Sequence, residues 1–171
     1  MKRVGIITLA VVVLLSSLVF AAVVSPVDAK GPKTLKFQSM VGLPSALTGA
    51  QSQGPLRGIS GGGLPWTIAD ASGELKANGD LKISVKGLVL AAGANAGSNP
   101  ITSFRAIVSV VKSDGTFENV LTEAFPATTG PASSGGGNAE IDAHVDLPES
   151  SIAPIIFVTS PGGAWFAATG F

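Results

Sequence analysis

His144 is the only imidazole in the chain, and it stands between Asp142 and Asp146 with Glu140 on the other side of Asp142. In a strand, side chains at i and i+2 share a face, so these groups form one polar row with the chemistry to hold a metal ion or to supply an acid and a base. Two features argue for a plainer role. Exposed sheet faces are normally polar, and Lys82, Ser84 and Lys86 form a matching row that could pair with this one across strands. No calcium-loop spacing accompanies it, and nothing singles out Glu140 and Asp142 as the acid and base of a glycosidase. The expectation is a solvated sheet face, with no metal and no catalytic residue assigned to it.

Gly58-Ile59-Ser60-Gly61-Gly62 matches the Gly-x-Ser-x-Gly elbow that presents a nucleophilic serine between a strand and a helix. Gly63-Leu64-Pro65-Trp66 follows, which cannot start a helix, and His144 would have to be the base. A chain this rich in Gly and Ser meets the pattern by accident, so a flexible loop is expected. The Gly triplets at 61–63 and 135–137 lack the Lys-Ser/Thr and the helix of a phosphate loop. Three residues remain as candidate binding groups. Arg105 lies inside the apolar run Phe104 to Val111, where its guanidinium must reach water or a carboxylate such as Asp70 or Glu123. An ion pair is the first expectation and a ligand contact the second. Trp66 and Trp165 each follow a Gly/Pro-rich turn, so either ring could face a loop-lined surface as a ligand platform, with core packing the default.

The elements available to position these residues are strands. Leu35 to Val41 alternates, with Leu35, Phe37 and Val41 as its apolar set. Gly42 to Gly63 has neither helical nor strand period and reads as a long loop. Trp66-Thr67-Ile68 opens the next strand, and Asn78-Gly79 predicts a hairpin over Leu75 to Ile83, since both central positions of a type I′ turn need positive φ. Leu81, Ile83 and Val85 then alternate with Lys82, Ser84 and Lys86, giving one packed face and one wet. Ile101 to Lys112 turns at Ser113-Asp114-Gly115 into Thr116 to Phe125, a second hairpin at the centre of a sheet. Ala139 to Leu147 alternates most cleanly, Ile152 to Val158 is nearly all apolar with Pro154 confined to its start or an edge, and Ala164 to Thr169 comes last. Seven to nine strands with no convincing helix predict an all-β fold, an antiparallel β-sandwich of immunoglobulin-like kind. An outer-membrane barrel is the rival architecture, and a chain without Tyr and with long loops fits it poorly.

Lys2-Arg3, the apolar run Val4 to Val24, and Val27 and Ala29 at the minus-three and minus-one places read as an N-terminal signal helix over residues 1–29, cut before Lys30. The run is long enough to cross a bilayer, so an uncleaved membrane anchor is the alternative. In either case residues 30–171 are expected to form a single exported domain, secreted or extracytoplasmic at the cell surface. The absence of Cys excludes disulfides, thiol catalysis, iron–sulfur clusters and thiolate zinc sites. Nine Lys/Arg against ten Asp/Glu in residues 30–171 leave no basic field for nucleic acid or anionic lipid.

The segments Gly62-Gly63-Leu64-Pro65-Trp66 (GGLPW), Leu81 to Leu90, Asn99-Pro100-Ile101 with Phe104-Arg105-Ala106, and Val158 to Ala167 (containing SPGGAWFA) resemble a group of uncharacterised secreted bacterial β-rich proteins, over most of residues 30–171. The resemblance brings no activity, ligand or catalytic residue with it. The reading of the residues is therefore a non-catalytic exported domain without cofactor, which binds an extracellular or surface ligand through Trp66, Arg105 and Trp165 or serves in the envelope or matrix. A secreted hydrolase or metal-dependent enzyme, and a membrane-anchored surface domain, are the alternatives. They differ in geometry: a catalytic site would bring His144 or paired carboxylates into a pocket with Arg105, and a binding module would show an apolar patch or an aromatic platform among the loops.

Overall fold

A computed structural model describes residues 34–49 and 55–169; the segment read as a signal helix, 1–29, lies outside them. In chain order the strands are β1 (Leu35–Phe37), β2 (Met40–Gly42), β3 (Trp66–Thr67), β4 (Asp70–Leu75), β5 (Asp80–Lys86), β6 (Val89–Leu90), β7 (Ser98–Asn99), β8 (Ser103–Val111), β9 (Phe117–Pro126), β10 (Gly130–Pro131), β11 (Ala139–His144), β12 (Ile152–Thr159) and β13 (Trp165–Thr169). A four-stranded sheet runs β1-β4-β5-β11 and a five-stranded sheet runs β2-β13-β12-β8-β9, with every neighbour antiparallel. Two-residue ladders, β3 with β6 and β7 with β10, complete the set.

Period-two burial packs one sheet on the other. Leu81, Ile83 and Val85 of β5 and Ile141 of β11 turn inward from the first sheet, and Phe104, Ala106, Val108, Val110, Ile156 and Val158 from the second. All belong to one core cluster, and each of the larger aliphatic side chains contributes about 1.5–3 kcal/mol by leaving water. The layering is that of an immunoglobulin-like sandwich, with a strand order of its own in which the consecutive strands β4 and β5, and β8 and β9, are hairpin neighbours. Neither sheet closes on itself, so the described residues form no barrel. At one edge the chain passes from β1 in one sheet to β2 in the other; at the opposite edge an Ala127–Ala139 bridge ties the end of β9 to the start of β11.

That first crossing corrects the expected strand Leu35 to Val41. The chain breaks at Gln38-Ser39 to change sheets, the alternation shifts by one, and Met40 is buried while Val41 stays 52% exposed. The Asn78-Gly79 hairpin forms with a different turn from the expected one. Only Gly79 has positive φ, with Lys76 N–H donating to Asp80 O and Gly79 N–H to Lys76 O, which is a turn closed by a glycine bulge. The β8–β9 and β12–β13 hairpins repeat the same pair of bonds around Gly115 and Gly163. Pro154 falls where the β12–β8 register shifts between Ile152 and Ile155, so its missing N–H costs no regular ladder bond.

Candidate ligand-binding groove

Ile107 and Ser109 of β8 are buried although they point away from the interface between the sheets, so the outer face of the five-stranded sheet has a cover of its own. The loop between β2 and β3 supplies part of it. Leu43 N–H donates to Phe166 O and Trp66 N–H to Leu43 O, so the loop leaves and returns at one point. Its segment 55–63 lies along the outer face, where Trp165 N–H donates to Ser60 O and Gly62 N–H to Trp165 O. Arg57 fastens the far end. Its Nη1 donates to Ser109 O at 3.0 Å and Ala153 O at 2.8 Å, its backbone carbonyl accepts from Asn119 Nδ2, and its guanidinium sits over the Phe117 ring at 5.3 Å. Burial among these groups pulls the Arg57 pKa below its usual value.

In the serine-elbow match, Gly58 takes a positive φ of +80°, and Gly61 and Gly62 stand where no side chain fits. A Cβ at Gly61 would meet Leu47 O at 2.2 Å, and one at Gly62 the Phe166 ring at 2.9 Å. No helix follows Ser60, and His144 belongs to the other sheet.

Strand register fixes the rows of the outer face. Arg105, Ile107 and Ser109 of β8 stand opposite Thr159, Phe157 and Ile155 of β12, and Ile107 and Ser109 stand opposite Leu121 and Asn119 of β9. Between the loop and the turn after β12 lies a groove of about 360 Å³. Ile107 and Leu121 form its floor, Asn119 one end, Gly58 to Ser60 one wall and Gly162 to Ala164 the other. Among the described residues, three of the four buried side-chain polar atoms without a hydrogen-bond partner, Arg105 Nε, Ser109 Oγ and Asn119 Oδ1, lie on this face, and Ser109 and Asn119 are directly opposite each other. Flanking the groove, Phe117 is 53%, Leu121 48% and Ile152 63% exposed, and Ile152, Val111 and Phe117 form one cross-strand row.

A second concavity of about 390 Å³ lies on the outer face of the four-stranded sheet, and its charged lining is already engaged. Lys36 pairs with Glu74 at 3.2 Å, Lys82 with Asp142 at 3.0 Å, and Ser84 donates to Glu140 at 2.7 Å. His144 Nδ1 is 3.0 Å from Asp80 Oδ1, a contact that lowers the Asp80 pKa, followed in effect by the Asn78 hydrogen bond. A ligand here would have to break these pairs. The row Glu140–Asp142–His144 is thus the solvated, cross-paired face expected of it, and no group of three metal-ligating side chains occurs among the described residues.

The three candidate binding residues take different places. Trp66 is 5% exposed and stacks on Phe166 at 4.0 Å between the sheets. Trp165 is 2% exposed, set edge-on to Phe157 at 5.9 Å beneath the loop, so neither ring is an open platform. Arg105 is half-buried on the outer face, one rung from the groove floor, in the row Arg105–Thr159–Trp165. The expected ion pair with Asp70 or Glu123 is absent: Asp70 pairs with Lys86, and no described carboxylate reaches Arg105. Arg105 and Trp165 therefore share a face, Trp66 lies within the core and His144 is on the far sheet. Arg57, Asn119 and Leu121 escaped the sequence reading, though Ile107 and Val111 on the second face of the Phe104 to Val111 run were a signal that this face is partly covered. Comparison with protein-family models, curated proteins and solved structures finds no match to this chain.

Proposed function

We propose that residues 30–171 act outside the cytoplasm as a non-catalytic binding domain whose working surface is the outer face of the five-stranded sheet. One observation carries the reading. That face keeps Phe117, Leu121 and Ile152 exposed around a groove and carries unpartnered polar atoms on Arg105, Ser109 and Asn119, whereas the charged groups lining the concavity of the other outer face are engaged with neighbours. Clustered apolar exposure of this kind marks interaction sites. Export rests on the basic, apolar and small-residue pattern of residues 1–29.

Two measurements test the reading. Mass spectrometry of protein recovered outside the cell should place the amino terminus at Lys30; an intact Met1 would refute cleavage, and retention in the cytoplasm would refute export. A screen of small neutral and charged fragments by amide chemical shifts should collect its hits at Ile107, Asn119, Leu121 and Gly163. Hits gathered on Ser72, Lys82 and Ser84 instead would move the working surface to the other sheet and overturn the proposal.

A further inference from the structure

Every described lysine has an acidic partner. Lys36, Lys76, Lys82, Lys86 and Lys112 lie 3.0–3.9 Å from a carboxylate oxygen. The two described arginines, Arg57 and Arg105, have none among the described residues, although the planar guanidinium fits a carboxylate better than an ammonium does. Both stand on the outer face of the five-stranded sheet. Arg57 is accounted for by the carbonyls of Ser109 and Ala153 and by the Phe117 ring. Arg105 is not: its guanidinium donates no described hydrogen bond, and its Nε is buried without a partner. A half-buried cation left in this way gains most from an anion that arrives with the ligand.

We propose that Arg105 and the groove beside it bind a small monocarboxylate with a short apolar body. The inference rests on the reading of this face as the working surface and names what it takes. No acidic residue lines the groove, so an anion meets no repulsion there. Arg105 lies just outside the groove lining, one rung from the floor of Ile107 and Leu121, so a carboxylate held by Arg105 would set an apolar body over that floor. A volume of about 360 Å³ is at the low end for small-molecule pockets and limits the body to a short chain or one ring. A single positive charge matches a carboxylate better than a phosphate dianion. The turn at Ser160 adds little, because Gly163 N–H and Ala164 N–H already donate to Ser160 O and Oγ.

The test titrates the exported protein with hexanoate, 1-hexanol and hexylammonium, following the amide shifts of Ile107, Asn119, Leu121 and Gly163. Hexanoate should shift them saturably, 1-hexanol should bind about tenfold more weakly or worse, and hexylammonium should not bind. Arg105→Gln should weaken hexanoate about tenfold while leaving 1-hexanol unchanged, and Arg105→Lys should recover part of the loss. Should Arg105→Gln fail to fold, the comparison of head groups on the unaltered protein decides. Equal binding of hexanoate and 1-hexanol would overturn the carboxylate assignment and leave the working surface standing. No response at these amides to any of the three, with fragments also absent there, would sink both.

Discussion

A single nitrogen of Arg57 spans two strands, joining Ser109 O of β8 to Ala153 O of β12 and so holding the loop against the sheet. Arg57→Ala removes both charge-assisted bonds together with the stem packed over Phe117. It should lower the unfolding free energy by about 1–2 kcal/mol in a urea titration, with Arg57→Lys recovering less than half. Asp80 makes a pH prediction on the opposite face. His144 and then Asn78 lower its folded pKa beneath the unfolded value of about 3.9. The unfolded state therefore binds the proton first, and the stabilisation is fully present above that value and lost as pH falls through the folded pKa. Acid unfolding of Asp80→Asn should lack this component, so its stability and that of the parent protein should separate above about pH 4 and converge as pH falls through the folded pKa. Separation that persists unchanged to the lowest pH would refute the assignment.

The three glycine-closed hairpins are the elements on which the sheets depend. Gly79 has φ +93°, and a Cβ there would meet Val145 O at 2.1 Å, so a side chain is opposed by both the backbone conformation and a neighbouring carbonyl. Gly79→Ala should cost about 2–4 kcal/mol by chemical denaturation, more than positive φ alone would cost, whereas Gly115→Ala, with open space around its Cβ, should cost only about 1 kcal/mol. The hairpins were legible because Asn78-Gly79 and Asp114-Gly115 are separated from alternating runs by their own chemistry, and alternation named the inward residues of β5 and β11 correctly. The type of turn was not legible, since one glycine at positive φ serves as well as two residues when a bulge absorbs the twist. The break at Gln38-Ser39 was hidden too, because a strand that changes sheets keeps a local alternation while its parity is set by two different partners. Of the site, Arg105 and its buried setting could be read from one apolar run. The groove needed Arg57 and Leu121, which long-range register and a periodless loop bring to it.

For the molecule as a whole, each described lysine is neutralised at short range by a carboxylate, whereas Arg57 and Arg105 on the outer face of the five-stranded sheet meet none among the described residues. The lysine pairs are exposed, and surface pairs of this kind contribute at most about 1 kcal/mol each, so the fold is held by its apolar interior. Raising salt from low ionic strength to about 0.5 M, where screening is nearly complete, should move the thermal midpoint by no more than a few degrees. A collapse of the midpoint over that range would show that the ion-paired face carries the stability. Carboxylate binding at Arg105 should weaken over the same titration, separating the two faces in one experiment.

With no Tyr in the chain, Trp66 and Trp165 supply nearly all of its near-ultraviolet emission, and the strands set them on opposite sides of β13's sheet. Both indoles meet the strap that Arg57 fastens: its backbone bonds Trp165 through Ser60 and Gly62, and Gly62 lies against Phe166 and the Trp66 indole nitrogen. The protein thus carries two optical reporters under one cover, and peeling of the strap should redden both emissions before the apolar interior is lost. Single Trp→Phe replacements would assign the shift to each indole without any added label.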